Sequence, residues 1–183
     1  KSLPLKSYQL AKLITISQGS LSDIKKHEIQ HCASDDTILI ISTSKGDIDL
    51  LPNNPFANLQ ADVQKRLGLK NTPLVISNAC ISGVLSINVA SDLLRHGSYR
   101  NAIVLGIESL SKFVVGGFNS LFALSPDICR PYDDKRIGIN LGEASAYVVL
   151  SVDEKYPSVH VGGSTNNDAN HISSPSRTGE GLF

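Results

Sequence analysis

Pro73-Leu74-Val75-Ile76-Ser77-Asn78-Ala79-Cys80-Ile81-Ser82-Gly83 contains a change of period. Residues 73–77 form a short apolar run that reads as a buried strand. From 81 to 94 the apolar residues Val84, Leu85, Ile87, Val89, Ala90, Leu93 and Leu94 recur at helical spacing. Cys80 therefore falls on a strand-to-helix turn, at or beside a helix N-terminus. Unpaired N–H groups and the positive end of the helix dipole lie there, and both stabilise negative charge on sulfur. The thiolate is the nucleophilic form of cysteine, so the turn is a place for covalent chemistry. Position alone also suits an inert cysteine, because a free cysteine usually packs as a small hydrophobe. Cys32 and Cys129 lack the strand-then-helix setting and read as structural or incidental.

The chain on either side completes an alternating pattern. Residues 37–42 are a continuous run rich in isoleucine, as in a parallel-sheet strand buried on both faces. Lys45-Gly46-Asp47 then turns the chain, Asn53-Asn54-Pro55 opens a helix to Leu67, and Gly68 ends it. Beyond the Cys80 helix, which closes at His96-Gly97, residues 101–106 are a second buried strand. Residues 113–124 are apolar but carry Gly116 and Gly117, which fits either a helix or a loop. Residues 125–134 are rich in turn formers, and 144–151 and 159–163 read as two strands separated by a turn at 153–157. At the start, 6–18 has a helical pattern that Gly19 is expected to stop, with Ser22-Asp23 capping a short helix to Ile29. After Gly163 the composition shifts to Ser, Asn, Gly and Pro, a loop or linker. This order predicts an α/β fold with a mostly parallel sheet flanked by helices.

Composition narrows the function classes. The 183 residues include 17 basic and 17 acidic side chains, so no net charge draws the chain to nucleic acid or an anionic membrane. No apolar run approaches the ~20 residues that span a bilayer. Three cysteines without a close pair make no disulfide framework and point to a reducing, cytoplasmic compartment. No CxxC or His/Cys cluster suggests a metal, and no P-loop or GxGxxG suggests a nucleotide cofactor, so none is expected. The chain has no Met, so Lys1 reads as the first residue of a piece cut from something longer.

Four blocks, in order and suitably spaced, carry a resemblance. Asn78-Ala79-Cys80-Ile81-Ser82-Gly83 is similar to a T-A-C-x-S nucleophile motif. Ala102-Ile103-Val104-Leu105-Gly106-Ile107-Glu108 is similar to A-x-x-G-G-x-E. Gly117-Phe118, Ala123-Leu124-Ser125 and Arg130-Pro131-Tyr132-Asp133 resemble G-F, A-L-S and R-P-F-D. The stretch from Arg136 to Ala146, containing Gly142-Glu143-Ala144, is similar to R-x-G-x-x-x-G-E-G-A. A weaker match, Asp168-Ala169-Asn170-His171, resembles D-A-x-H. Together these identify the N-terminal half of a β-ketoacyl synthase, the condensing enzyme of fatty-acid and polyketide assembly, on the thiolase-like fold. Residues 1–183 then form its N-terminal domain, without its opening strand and its C-terminal half.

The resemblance implies a mechanism. Cys80 accepts an acyl group from a thioester of acyl carrier protein or coenzyme A, and a malonyl thioester decarboxylates and attacks that acyl group. Phe113, Phe118, Phe122 and Ser82 are then acyl-pocket candidates, although apolar side chains of this kind also serve as ordinary core. Glu143 and His171 are expected to support the site, Glu143 as a satisfied buried carboxylate. The family forms homodimers, with the strand at 102–106 or its neighbours often at the contact. The two catalytic histidines of the family lie in H-G-T-x-T and G-H motifs of the C-terminal half, and His27, His31, His96, His160 and His171 stand in neither. The piece alone is therefore expected to be inactive in condensation. Asn78 in place of Thr, and Ala144-Ser145 in place of Gly-Ala, leave an alternative: a non-catalytic partner subunit of the same fold that sets chain length or dimerises.

Overall fold

The computed structural model describes residues 8–153, 158–168 and 176–182. The elements are α1 (Tyr8–His27), α2 (Ile29–Cys32), β1 (Thr37–Ser42), α3 (Ala57–Leu67), β2 (Leu74–Ile76), α4 (Ser82–Arg95), β3 (Asn101–Glu108), α5 (Lys112–Ser120) and β4 (Ala144–Ser151). The strands form one sheet in the order β2-β1-β3-β4. β1 runs parallel to β2 and β3, and β4 runs antiparallel to β3.

Burial on both faces of β1 and β3 explains the layering. Successive strand side chains point to opposite faces. Leu39 and Ile41 therefore join Ile103, Leu105 and Ile107 in one core, against α1 and α3. Ile38 and Ile40 join Ala102 and Val104 in the other, against Ala90 and Leu94 of α4. A sheet apolar on both faces requires a helical layer on each. The parallel register brings the carboxyl ends of β1, β2 and β3 to the same end of the sheet, the end where open α/β sheets bind ligands.

Several sequence expectations are corrected here. Gly19 does not stop the first helix: α1 runs unbroken from Tyr8 to His27. Its buried stripe of Leu13, Ile14, Ser17, Leu21 and Ile24 continues past the glycine. An internal glycine costs ~1 kcal/mol, whereas burying Leu21 and Ile24 gains about 1.5–3 kcal/mol each, so the helix persists. β2 is an edge strand with Leu74 exposed, not a buried one. Residues 159–163 form no strand; Val159 and Val161 are exposed, and Arg95 Nη2 donates to the Val161 carbonyl. β3 is flanked on both sides by β1 and β4, so the edges of the described sheet belong to β2 and β4. The ambiguous segment 113–124 resolves into α5 followed by turns, and the expected stop at Gly68 is present as a left-handed residue (φ 65°).

Candidate active site

The turn after β2 is a strained elbow. A single turn of 3-10 helix, Ala79–Ile81, leads directly into α4. Ala79 has φ 43°. A residue with a Cβ pays ~1–2 kcal/mol for that left-handed conformation. The Ser82 hydroxyl clasps the loop: it accepts from the Asn78 N–H at 2.8 Å and donates to the Ala79 carbonyl at 2.7 Å. The Ile81 N–H donates to the Asn78 carbonyl at 3.2 Å. Cys80 projects from this turn as an exposed free thiol. Among the described residues its N–H has no hydrogen-bond partner.

Cys80 lines an open, largely apolar cavity of about 590 Å3. The carboxyl ends of β1 and β3 form its floor, and Phe113, Val114 and Phe118 of α5 form a wall. The Ser111 hydroxyl caps α5 by accepting from the Val114 N–H at 3.2 Å, which sets where that wall begins. No histidine lines the cavity among the described residues.

Four charged side chains brace the exit of β3. The buried Lys45 ammonium donates to the Glu108 carboxylate and to the Ser109 carbonyl. The second Glu108 oxygen accepts from the Ser44 N–H at 2.7 Å. Beside them Lys12 of α1 pairs with Glu143 and donates to the Leu110 carbonyl at 3.2 Å. Glu143 accepts from the Leu110 N–H at 2.7 Å. The Lys12 hydrogen bond, helped by the Leu110 N–H, holds the Glu143 carboxyl below its ordinary value.

The structure sorts the predicted residues. Cys80, Ser82, Phe113 and Phe118 line one cavity. Ser82 does so as the clasp of the elbow, its hydroxyl already engaged by the turn. Phe122 does not belong to the cavity: it sits past the end of α5, 92% exposed, because the chain turns away at its φ of 53°. Glu143 braces the site but is exposed, not buried: it pairs with Lys12 of α1. His171 lies outside the described residues. Sequence reasoning missed Lys45, reading it only as a turn residue. The available signal was a cation directly after one fully buried strand, with an anion, Glu108, ending its parallel neighbour.

Among the described residues no group of three or more His, Cys, Asp or Glu side chains is placed to hold a metal ion, and no helix is long and apolar enough to cross a membrane.

A mixed sheet between helical layers, with a cysteine elbow at the carboxyl ends of its parallel strands, defines a thiolase-like fold of the condensing-enzyme class. Comparisons with known proteins agree. The family described as "Beta-ketoacyl synthase, N-terminal domain" matches residues 43–155. The chain belongs to the β-ketoacyl synthase family and carries this domain. It is 30% identical over 145 residues to 3-oxoacyl-[acyl-carrier-protein] synthase 2 of Staphylococcus aureus, covering 72% of this chain and 35% of that protein. The chain thus spans about a third of the length of the curated relatives it matches. Among solved structures, a ketosynthase (ApeO) in complex with its chain length factor (ApeC) from Xenorhabdus doucetiae superposes with a TM-score of 0.74 at 22% identity, covering 100% of this chain and 52% of that one. A β-ketoacyl synthase from Burkholderia phymatum gives a TM-score of 0.61 at 20% identity, covering 82% and 46%.

Proposed function

We propose that this chain is the nucleophile-bearing half of a ketosynthase that extends acyl groups held on Cys80. The observation that carries the reading is the exposed Cys80 thiol, set on a strained elbow at the wall of an apolar cavity. In the first half-reaction the Cys80 thiolate attacks the carbonyl carbon of an acyl thioester of acyl carrier protein or coenzyme A. The tetrahedral oxyanion draws on the unengaged Cys80 N–H, and the donor thiolate leaves and takes up a proton. In the second, a malonyl thioester loses carbon dioxide, its carbanion attacks the acyl-cysteine carbonyl, and the Cys80 thiolate leaves. That step needs acid–base groups. No described histidine reaches the cavity, so the reading assigns them to the part of the protein outside this chain.

The apolar wall suits an alkyl acyl chain, whose burial gains about 0.8 kcal/mol per methylene. Phe113, Leu121, Phe122 and Ile128 stand exposed on α5 and the loop after it, a surface for the remaining half or for a homodimer partner to cover. The unpaired cysteines accord with a cytoplasmic site of action.

Two structural neighbours, ApeO with its partner ApeC and the ishigamide ketosynthase/chain length factor, include a chain length factor, which supports a second reading: a non-catalytic partner subunit of the same fold. One experiment separates them. The full-length protein is incubated with hexanoyl coenzyme A and its mass measured, with Cys80→Ser as control. An acyl adduct on Cys80 that the variant lacks supports the synthase. An unmodified Cys80 in the full-length protein removes that reading in favour of the partner subunit.

A further inference from the structure

We propose that Lys45, through the ion pair of its buried ammonium with the partly exposed Glu108, is a positioning residue that holds the two walls of the Cys80 cavity in register. The inference rests on the reading of Cys80 as the acyl acceptor and adds a residue to it.

The pair sits where three loops meet. One Glu108 oxygen accepts from Lys45 and the other from the Ser44 N–H. The Ser44 carbonyl in turn accepts from the Ser77 hydroxyl at 3.0 Å. Ser77 is the residue before Asn78, where the elbow begins, so a continuous set of contacts runs from Glu108 to the turn that carries Cys80. On the opposite side Lys45 also holds the Ser109 carbonyl, two residues before the cap of α5. A single ammonium therefore ties the elbow wall to the wall bearing Phe113 and Val114.

The surroundings make the tie rigid. Lys45 is 7% exposed. Its loop is pinned again where the Gly46 N–H donates to the Thr43 hydroxyl and the Asp47 N–H to the Pro55 carbonyl. Because Lys45 is buried and Glu108 partly exposed, removing Glu108 leaves an uncompensated charge inside the protein, whereas replacing both by neutral groups of similar size is often tolerated. That asymmetry separates positioning from simple stability.

The test uses the full-length protein with Lys45→Met, Glu108→Gln, the double variant and Ser77→Ala. Rates of Cys80 acylation by hexanoyl and dodecanoyl coenzyme A are measured beside melting temperature. The expected result is that Glu108→Gln, which strands the buried ammonium, loses both stability and rate, while Lys45→Met loses rate with a smaller loss of stability. The double variant recovers most of its melting temperature but still acylates ten- to a hundredfold slower, the scale of a misplacement of about 1 Å. Ser77→Ala, which leaves the charges intact, slows acylation without lowering the melting temperature. A double variant that acylates at the parent rate overturns the proposal. So does an unchanged rate in Ser77→Ala, which decides the matter even where a pair variant does not fold. A parent protein that takes no acyl group at all refutes instead the role of Cys80.

Discussion

Two glycines with nearly the same backbone angle offer a controlled measurement of packing beside the site. Gly46 has φ 62° and Gly68 has φ 65°. Alanine at either position bears the left-handed penalty of ~1–2 kcal/mol. Around Gly68 nothing lies within 4 Å of an added Cβ, so that penalty is the whole cost. At Gly46 the new atom lies 2.6 Å from Phe56 Cδ1 and 2.8 Å from the Pro55 carbonyl oxygen. The ring can shift, but the carbonyl is held by the Asp47 N–H at 2.9 Å. Overpacking of this kind adds about 1–3 kcal/mol. Gly46→Ala is thus expected to be less stable than Gly68→Ala by that difference. In a protein of this size it corresponds to a melting temperature lower by about 2–12 °C. Calorimetry on both variants supplies the numbers. Gly46 also adjoins Lys45, so its variant should slow Cys80 acylation while the Gly68 variant does not. Equal melting temperatures, or a less stable Gly68 variant, would refute the packing argument for the 43–47 loop.

Three further outcomes are expected. Ser111→Ala removes the cap of α5 and costs about 1 kcal/mol by chemical denaturation; a slower Cys80 acylation should accompany it, and an unchanged rate would mean that the first turn of α5 does not shape the cavity. Burial pushes the Cys32 thiol up to about 11, so iodoacetamide at neutral pH should modify exposed Cys80 and spare Cys32 until denaturant is added; equal labelling in the native protein contradicts the described core. The folded-state Glu143 carboxyl lies below its ordinary value, so its contact with Lys12 supports the fold above the unfolded carboxylate range. That support is lost as pH falls through the lower, folded value. Melting temperature against pH should therefore show a shallower acid limb in Lys12→Met than in the parent, and superimposable acid limbs would dismiss the contact as a contributor.

Much of the fold was legible because its determinants are local. The isoleucine-rich run of β1 and the apolar run of β3 declare strands buried on both faces, and the spacing after Cys80 declares a helix. Their junction places the nucleophile without reference to any other part of the chain. Errors arose where tertiary packing outweighs a local signal. Gly19 is a stop signal by propensity, but the stripe from Leu13 to Ile24 has a core to enter on both sides of it. Val159 and Val161 have strand propensity, yet the segment pairs with no strand and is held instead by Arg95. β2 is apolar enough for a central strand, and only the sheet order puts it at an edge.

By itself, the sequence determined the α/β alternation, the strand-to-helix turn and Cys80 as its thiol. Each of these follows from residues within about one element of one another, whose periodicity and turn chemistry act along the chain. Tertiary structure alone decided what surrounds that thiol. Lys45 and Glu108 are 63 residues apart, and Lys12 meets Glu143 across most of the chain. Such pairs exist only because parallel strands end side by side and α1 crosses the sheet beside them. No spacing in the sequence encodes a contact of that kind, since it depends on sheet order and register, which are settled by burial of the whole core.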